Sequence, residues 1–301
     1  IYHGEVGSAE VTPPVVLGHE YAGIVEEVGA DVKGLVPGDH VAVDPNIYCG
    51  ACTPCRDGKK QFCEHLQALG VTWDGGFAQY SAAPAAQCFK LAPELPFEAG
   101  AMAEPLACCL HGIDAAGIRP GSTVCVIGGG AIGLLMVQLA RLSGAAKVIL
   151  SEPVELRRSA GLSVGADLAV DPLREDLSAR VREAAGKSGA DVVIECVGNT
   201  AATRSAFEAA GFGATVLLFS VPAPTATVPL PLFDVYKKEL AIRGSFINPD
   251  THLRAVELLS AGRINVEPLI THTFGIGEME QAIKMQMGGE SIKVMVLPNK
   301  R

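Results

Sequence analysis

Four cysteines, Cys49, Cys52, Cys55 and Cys63, are spaced C-x2-C-x2-C-x7-C in the stretch PNIYCGACTPCRDGKKQFC. Four thiolates fill the tetrahedral shell of Zn2+ and leave no position open, which is the pattern of a structural site. The short spacing lets one loop wrap the ion. Arg56, Lys59 and Lys60 offset the excess negative charge that four thiolates bring to a dication. Two disulfides are the competing use of these residues. Against them, three cysteines within seven residues pair poorly, and an odd total of nine with no secretory signal points to a reducing compartment. An iron–sulfur cluster is the remaining alternative. The other five, Cys88, Cys108, Cys109, Cys125 and Cys196, sit in apolar runs and read as small buried hydrophobes.

A second, open metal site is read from the phrase GHEYAGIVEEVG, where His19 stands beside Glu20 after the extended run VVLG. Imidazole nitrogen and carboxylate oxygen both suit zinc, and a catalytic zinc keeps one position for water or substrate. A lone His is more often a satisfied structural residue, so the pair alone is a weak signal. Glu104, in GAMAEPLACCLHG, is the second acidic candidate. A carboxylate amid Ala, Met, Leu and Cys needs a partner, and a metal is a natural one. The alternative is a helix N-terminal role beside Pro105. His111 reads as a packing residue. His3, His40, His65, His252 and His272 have no partner spacing and are assigned to surface or core.

Gly128-Gly129-Gly130-Ala131-Ile132-Gly133 matches G-x-G-x-x-G between the strand-like TVCVI and the helical LLMVQLARL, the context the motif requires. Gly128 permits the tight turn, Gly130 lets backbone approach a pyrophosphate, and Gly133 allows close helix–strand packing. Ala131 and Ile132 open the helix, whose N-terminal N–H groups favour phosphate. The next strand, KVILSE, ends at Glu152, nineteen residues past Gly133, where an acid binds the ribose 2′-hydroxyl of NAD. Arg157 and Arg158 follow and are placed to meet a 2′-phosphate, so NAD is favoured with NADP as the alternative. Val197, in VVIECVG, completes the cofactor-binding candidates. A nucleotide-type fold without cofactor is the bland reading.

The elements that must position these groups fall into three blocks. Residues 1–117 carry short β-like runs with many Gly and Pro (VVLGHEYAGIVEEVG, GDHVAVDP, GGFAQYSAAP) and predict an irregular, mostly β domain. Residues 118–266 alternate short apolar runs with helical segments, which predicts an α/β, doubly wound parallel sheet with helices on both faces. Residues 267–301 return to β-like segments around THTFGIGEM and SIKVMVLP, with a helix near 278–286.

The chain has 301 residues, is 49% hydrophobic and 19% charged, and has net charge −9, composition of a compact protein with one large or two ordinary cores. Its acidity speaks against nucleic-acid or anionic-membrane partners. The uncharged stretch 120–140 is long enough to span a bilayer, but three successive glycines break it into a strand and a helix. The opening IYHGEVGSAE has neither the basic nor the apolar region of a signal peptide and no initiator Met, so the chain is expected to be cytoplasmic and to start inside a longer polypeptide.

Taken together, GHEYAGIVEEVG, DPNIYCGACTPCRDGKKQFC, DGGFAQY, EPLACCLHG, VIGGGAIGLL and VEPLITHTF resemble the zinc-containing medium-chain alcohol dehydrogenase family over essentially the whole chain. The resemblance is nearest the sorbitol and arabinitol (polyol) branch, with threonine dehydrogenase a near relative. It implies a GroES-like catalytic domain split around a Rossmann domain. It also implies catalytic zinc at His19 and Glu20, with Glu104 at or near it, and structural zinc in the cysteine lobe. Members are usually homodimers or homotetramers. The expected reaction is hydride transfer from a secondary alcohol of a polyol to the nicotinamide ring, with water excluded by a gap between the domains. A zinc-free quinone-reductase relative is disfavoured by the cysteine lobe and His19-Glu20.

Two departures from the family pattern stand out. The family's first zinc ligand, a Cys in a Gly-x-Cys-Gly-x-Asp phrase, falls before Ile1. A zinc- and nucleotide-binding protein inactive in this form is therefore one alternative. The Arg that follows Gly-x-Phe in sorbitol-type enzymes is replaced here by Ile247, which argues against sorbitol itself.

Overall fold

In a computed structural model, residues 11 and 13–299 are described. The IYHGEVGSAE opening, with His3, lies outside them. The backbone gathers into two compact units: the described parts of Ile1–Leu110 and Ile247–Arg301, and His111–Phe246.

The first unit opens with strands β1 (Ala22–Ile24), β2 (His40–Val43), β3 (Asn46–Ile47), β4 (Gln67–Ala68) and β5 (Cys88–Lys90). Strands β1, β2 and β5 form an antiparallel sheet with β2 in the middle, and β3 pairs with β4. The run Val41-Ala42-Val43 is buried and anchors the core with Leu69, Leu91 and Met102. The β signal in VVLGHEYAGIVEEVG yields only the three residues of β1, and GGFAQYSAAP yields no strand. Gly and Pro spend those stretches on turns. Helix α1 (Thr53–Arg56) lies within the cysteine loop, α2 (Phe97–Gly100) follows Pro96, and α3 (Ala103–Ala116) carries EPLACCLHG. Pro105 falls in the first turn of α3, where its missing N–H costs nothing. Ala103, Leu106, Ala107, Cys109 and Leu110 bury that helix.

The second unit runs β6 (Thr123–Ile127), α4 (Ala131–Leu142), β7 (Lys147–Ser151), α5 (Glu155–Ser163), β8 (Leu168–Val170), α6 (Leu177–Ala185), β9 (Ala190–Glu195), α7 (Thr200–Ala209), β10 (Ala210–Leu218), α8 (Leu232–Lys238) and β11 (Ala241–Gly244). Its six strands are all parallel, in the order β11-β10-β9-β6-β7-β8. Every residue of β6 is buried, as a parallel strand covered on both faces requires. Caps set the helix starts: Asp176 accepts the Ala179 N–H and Asn199 accepts the Ala202 N–H. The strand order reverses between β6 and β9, where sheets of this kind bind ligands beyond the strand carboxyl ends. The uncharged 120–140 stretch becomes β6, the glycine turn and α4. Among the described residues no helix is long and apolar enough to cross a membrane.

The chain then re-enters the first unit with α9 (His252–Ser260), β12 (Ile270–Gly275), α10 (Met279–Met287) and β13 (Lys293–Leu297). Strand β12 pairs with β13 in parallel. The unit boundary falls after Phe246, whereas the sequence blocks carry the second domain to 266. Strand–helix alternation continues through β11 and α9, so the pattern does not register the change of core. Ala255, Val256 and Leu259 of α9 are buried. Of the five cysteines expected as buried hydrophobes, Cys109 and Cys125 are buried, while Cys88, Cys108 and Cys196 are half-buried.

His252 is 1% exposed, stacks at 4.9 Å on Phe89, and has no hydrogen-bond partner on either ring nitrogen. Burial holds it neutral, lowering its pKa to about 4. The unfolded chain takes up that proton near pH 6.5 and the folded chain does not. Stability is therefore expected to fall between about pH 6.5 and pH 4, by about 3 kcal/mol in all. Melting temperatures across that range should show His252→Phe with a flatter acid limb than the unsubstituted protein.

Candidate active site

His19 and Glu20 lie in irregular backbone immediately before β1. The stretch is locked by three backbone hydrogen bonds: Gly75 N–H to Val16 O, Gly76 N–H to Gly18 O and Phe77 N–H to Leu17 O, at 2.7–2.9 Å. Close approach makes two glycines obligatory. A Cβ on Gly70 would lie 2.1 Å from the Gly18 carbonyl oxygen, and one on Gly75 would lie 2.3 Å from it. Glu104 arrives from the first turn of α3, where the helix dipole favours an acid.

One donor atom from each of His19, Glu20 and Glu104 comes together, all within 4.8 Å of one another. Glu104 is 7% exposed, and its hydrogen-bond partner is the Cys108 thiol at 3.4 Å. Burial, reinforced by the charge of Glu20, pushes its pKa up to about 8. Glu20 is also desolvated, but the attraction of Lys293 and His19 prevails and its pKa is lowered. Lys293, from β13, donates directly to Glu20 Oε2. A buried and a half-buried carboxylate with an imidazole, balanced among the described residues by the Lys293 ammonium, form a donor set that suits a divalent ion.

Cys49, Cys52, Cys55 and Cys63 also converge within 4.8 Å. All nine cysteines are free, and Cys52 Sγ stands 3.9 Å from Cys63 Sγ, beyond disulfide length. Backbone N–H groups of Ala51 and Cys52 point at Cys49 Sγ and lower its pKa to about 6. The N–H groups of Cys49 and His65 point at Cys63 Sγ. Burial and the neighbouring thiols push Cys55 the other way, to about 12. Four sulfur atoms this close form the donor set of a closed tetrahedral zinc site, and a bound dication would favour all four as thiolates. Lys59 and Lys60, expected to offset the cage's charge, pair instead with Asp57 and Asp250.

In the second unit Gly128 has φ +100°, and Gly133 presses on its carbonyl so closely that a Cβ would lie 1.8 Å from the oxygen. Gly130 caps α4 in extended conformation, and Ala131 and Ile132 open that helix. Glu152 is buried at the end of β7. It accepts the Gly129 N–H at 2.6 Å and the Val154 N–H at 2.8 Å, so it also braces the glycine turn. Arg158, expected near a phosphate, is occupied by Glu155, Asp171 and the carbonyls of Glu152 and Pro153. Arg157 is half-buried on α5.

Val197 donates its N–H to Glu195 Oε1 at 2.6 Å, beside the Gly198 N–H at 2.9 Å, and Ser220 donates to the other oxygen. Glu195, at the carboxyl end of β9, was not singled out in the sequence, although it ends an apolar run just as KVILSE ends in Glu152. Lys293 had no local signal at all. His111 is half-buried, as a packing residue would be, and burial lowers its pKa.

Comparison with known proteins decides the family. The alcohol dehydrogenase GroES-like domain matches residues 1–93, and the zinc-binding dehydrogenase domain matches residues 131–261. An L-idonate 5-dehydrogenase from Vitis vinifera is 36% identical over 293 residues, covering 95% of this chain and 80% of the relative. The chain belongs to the zinc-containing medium-chain alcohol dehydrogenase family. An L-threonine 3-dehydrogenase from Pyrococcus horikoshii is 33% identical, covering 97% of this chain and 84% of the relative. The crystal structure of a zinc-binding dehydrogenase from Sinorhizobium meliloti bound to NADP has TM-score 0.94 and 42% identity, covering 98% of this chain and 86% of that one. The two units of this zinc-dependent dehydrogenase are thus the GroES-like and Rossmann parts of the family fold.

Proposed function

We propose that this dehydrogenase reversibly oxidises a secondary alcohol of a polyol to the ketone, with NAD as hydride acceptor. The convergence of His19, Glu20 and Glu104 carries the reading. When bound there, zinc supplies a Lewis acid that brings an alcohol's pKa toward neutrality. His19 and Glu20 would hold the ion with Glu104 at or near it, and Lys293 balances the charge on Glu20. The cysteine cage would hold the structural zinc. In the Rossmann unit, the α4 N-terminus and Gly130 would receive the pyrophosphate, and Glu195 would hold Val197 and Gly198 in place beside the cofactor. Glu152 would accept the ribose hydroxyls and repel a 2′-phosphate. Arg158 is committed elsewhere, which supports NAD. The NADP-bound Sinorhizobium relative makes NADP the competing cofactor.

A panel of pentitols, hexitols and L-threonine, each with NAD and NADP on the full-length protein, tests the reading. Turnover of a neutral polyol with NAD is the expected result. The threonine dehydrogenase relative supports amino-alcohol oxidation as the second reading, and selective turnover of L-threonine would replace the first with it. In the same assay Glu152→Ala is expected to lower the NAD-to-NADP ratio of kcat/KM by about tenfold or more. An unchanged ratio would remove Glu152 from cofactor selection.

The proposal includes a homodimer or homotetramer in the cytoplasm. The exposed edge strand β11, beside the exposed Leu232, Phe233 and Tyr236 of α8, supports association with a second copy. Light scattering that returns a monomer would refute it. Nine free cysteines suit a reducing compartment.

A further inference from the structure

The second unit buries a carboxylate that belongs to neither metal-ligand cluster. Glu195 ends β9 and is 1% exposed. Burying a carboxylate is costly unless donors meet its oxygens. Here Oε1 accepts the Val197 N–H at 2.6 Å and the Gly198 N–H at 2.9 Å, and Oε2 accepts the Ser220 hydroxyl. The main-chain carbonyl of Glu195 accepts the N–H groups of Phe219 and Ser220 at 3.0 and 3.1 Å.

These donors come from two loops. Val197 and Gly198 follow β9, and Phe219 and Ser220 follow β10, its parallel neighbour. Strand pairing ends at Leu218 opposite Glu195, so the carboxylate carries the connection past the end of the sheet. Gly198 has φ +86°, and a Cβ there would lie 3.4 Å from both Ser220 Cβ and the Val221 carbonyl oxygen. Glycine therefore lets the first loop turn tightly enough to meet the second.

The clasp reaches the phosphate-binding turn through Val197. A Cβ on Gly128 would lie 2.8 Å from Val197 Cγ2, so the Val197 side chain rests against the first glycine of G-x-G-x-x-G. Val197 is also 47% exposed, which leaves it open to a ligand. A dinucleotide bound where the strand order reverses sets its two halves on opposite sides of that point. Glu152, following β7, marks the adenosine side. The loops after β9 and β10 border the other side, where the nicotinamide half belongs.

We infer that Glu195 and Ser220 are positioning residues for the nicotinamide half of the cofactor. They act through Val197 and Gly198, holding the two loops in register before the ring arrives. The inference deepens the proposed function and rests on its placement of the dinucleotide across the α4 N-terminus. Loops already fixed in their bound arrangement need no ordering when the ligand binds, so loosening them weakens whatever touches them. The adenosine half, on the far side of the glycine turn, is indifferent to the clasp.

The test reads binding, not turnover. Calorimetry on the full-length, zinc-loaded protein compares NADH with ADP, which keeps the adenosine half and lacks the nicotinamide half. NADPH and adenosine 2′,5′-bisphosphate take their place if the unsubstituted protein binds NADPH more tightly. Ser220→Ala is expected to weaken NADH about tenfold and to leave ADP within about twofold. Glu195→Gln should weaken NADH by at least as much, and Ser220→Ala added to it should cost little more, because the hydroxyl has lost the partner it serves. If Glu195→Gln fails to fold, the Ser220→Ala comparison decides alone. Equal weakening of NADH and ADP, or undiminished NADH binding by Ser220→Ala, would overturn the assignment. If the unsubstituted protein binds neither NADH nor NADPH, the placement of the dinucleotide fails and takes this inference with it.

Discussion

His19→Ala is expected to cut alcohol oxidation by at least about 100-fold, since loss of an outer partner of a metal ligand already costs 10–100-fold. The imidazole is the one nitrogen donor in the cluster, and it approaches both carboxylates within 4.8 Å. Without it, Glu20 retains Lys293 and Glu104 retains the Cys108 thiol, so the pocket closes on itself. Metal analysis should find bound zinc reduced from both candidate sites to the cysteine cage alone. Melting temperature should fall only by what that one ion contributes to the folded state, and match that of unsubstituted protein stripped of the same ion, because the His19 backbone is held by main-chain bonds to Gly75, Gly76 and Phe77. An active His19→Ala protein with undiminished zinc would mean that the ion is not held by these residues.

Removing the cage has a different signature. Cys55→Ser is expected to lower the melting temperature by roughly 10 °C, because ligand binding at about 1,000 times Kd adds about 4 kcal/mol to the folded state. Without a cation, burial and the neighbouring thiols keep Cys55 protonated, so binding the metal must displace its proton and join its sulfur to the Cys49 thiolate that backbone N–H groups already favour. Cobalt substitution would give a direct reading. A thiolate-to-metal charge-transfer band should be present in the unsubstituted protein and lost in the variant. A protein that melts at the same temperature with or without chelator would rule out a stabilising metal there.

What was legible in the sequence was local. The cysteine cage was read because its four ligands fall between residues 49 and 63, and the glycine turn because strand, turn and helix are contiguous. Glu104 drew notice as an acid in an apolar helix start. Contacts between distant segments carried no such mark. Lys293 meets Glu20 across 273 positions, and Asn248 meets Asn46 across 202. Nothing in the sequence marks Gly70 or Gly75, whose constraint is the Gly18 carbonyl they press against. Arg158 looked free to meet phosphate because its partner Asp171 lies in the loop after β8. The placement of α9 escaped for the same reason: its apolar stripe declares a buried face without naming the core that buries it.

Lys60 of the cage loop is tied to Asp250. The cage therefore holds more than its own loop, because Lys60 also anchors the distant segment that carries Asp250. Emptying it would slacken that tether too, so loss of the metal is expected to loosen the chain around Asp250 before the rest of the unit gives way.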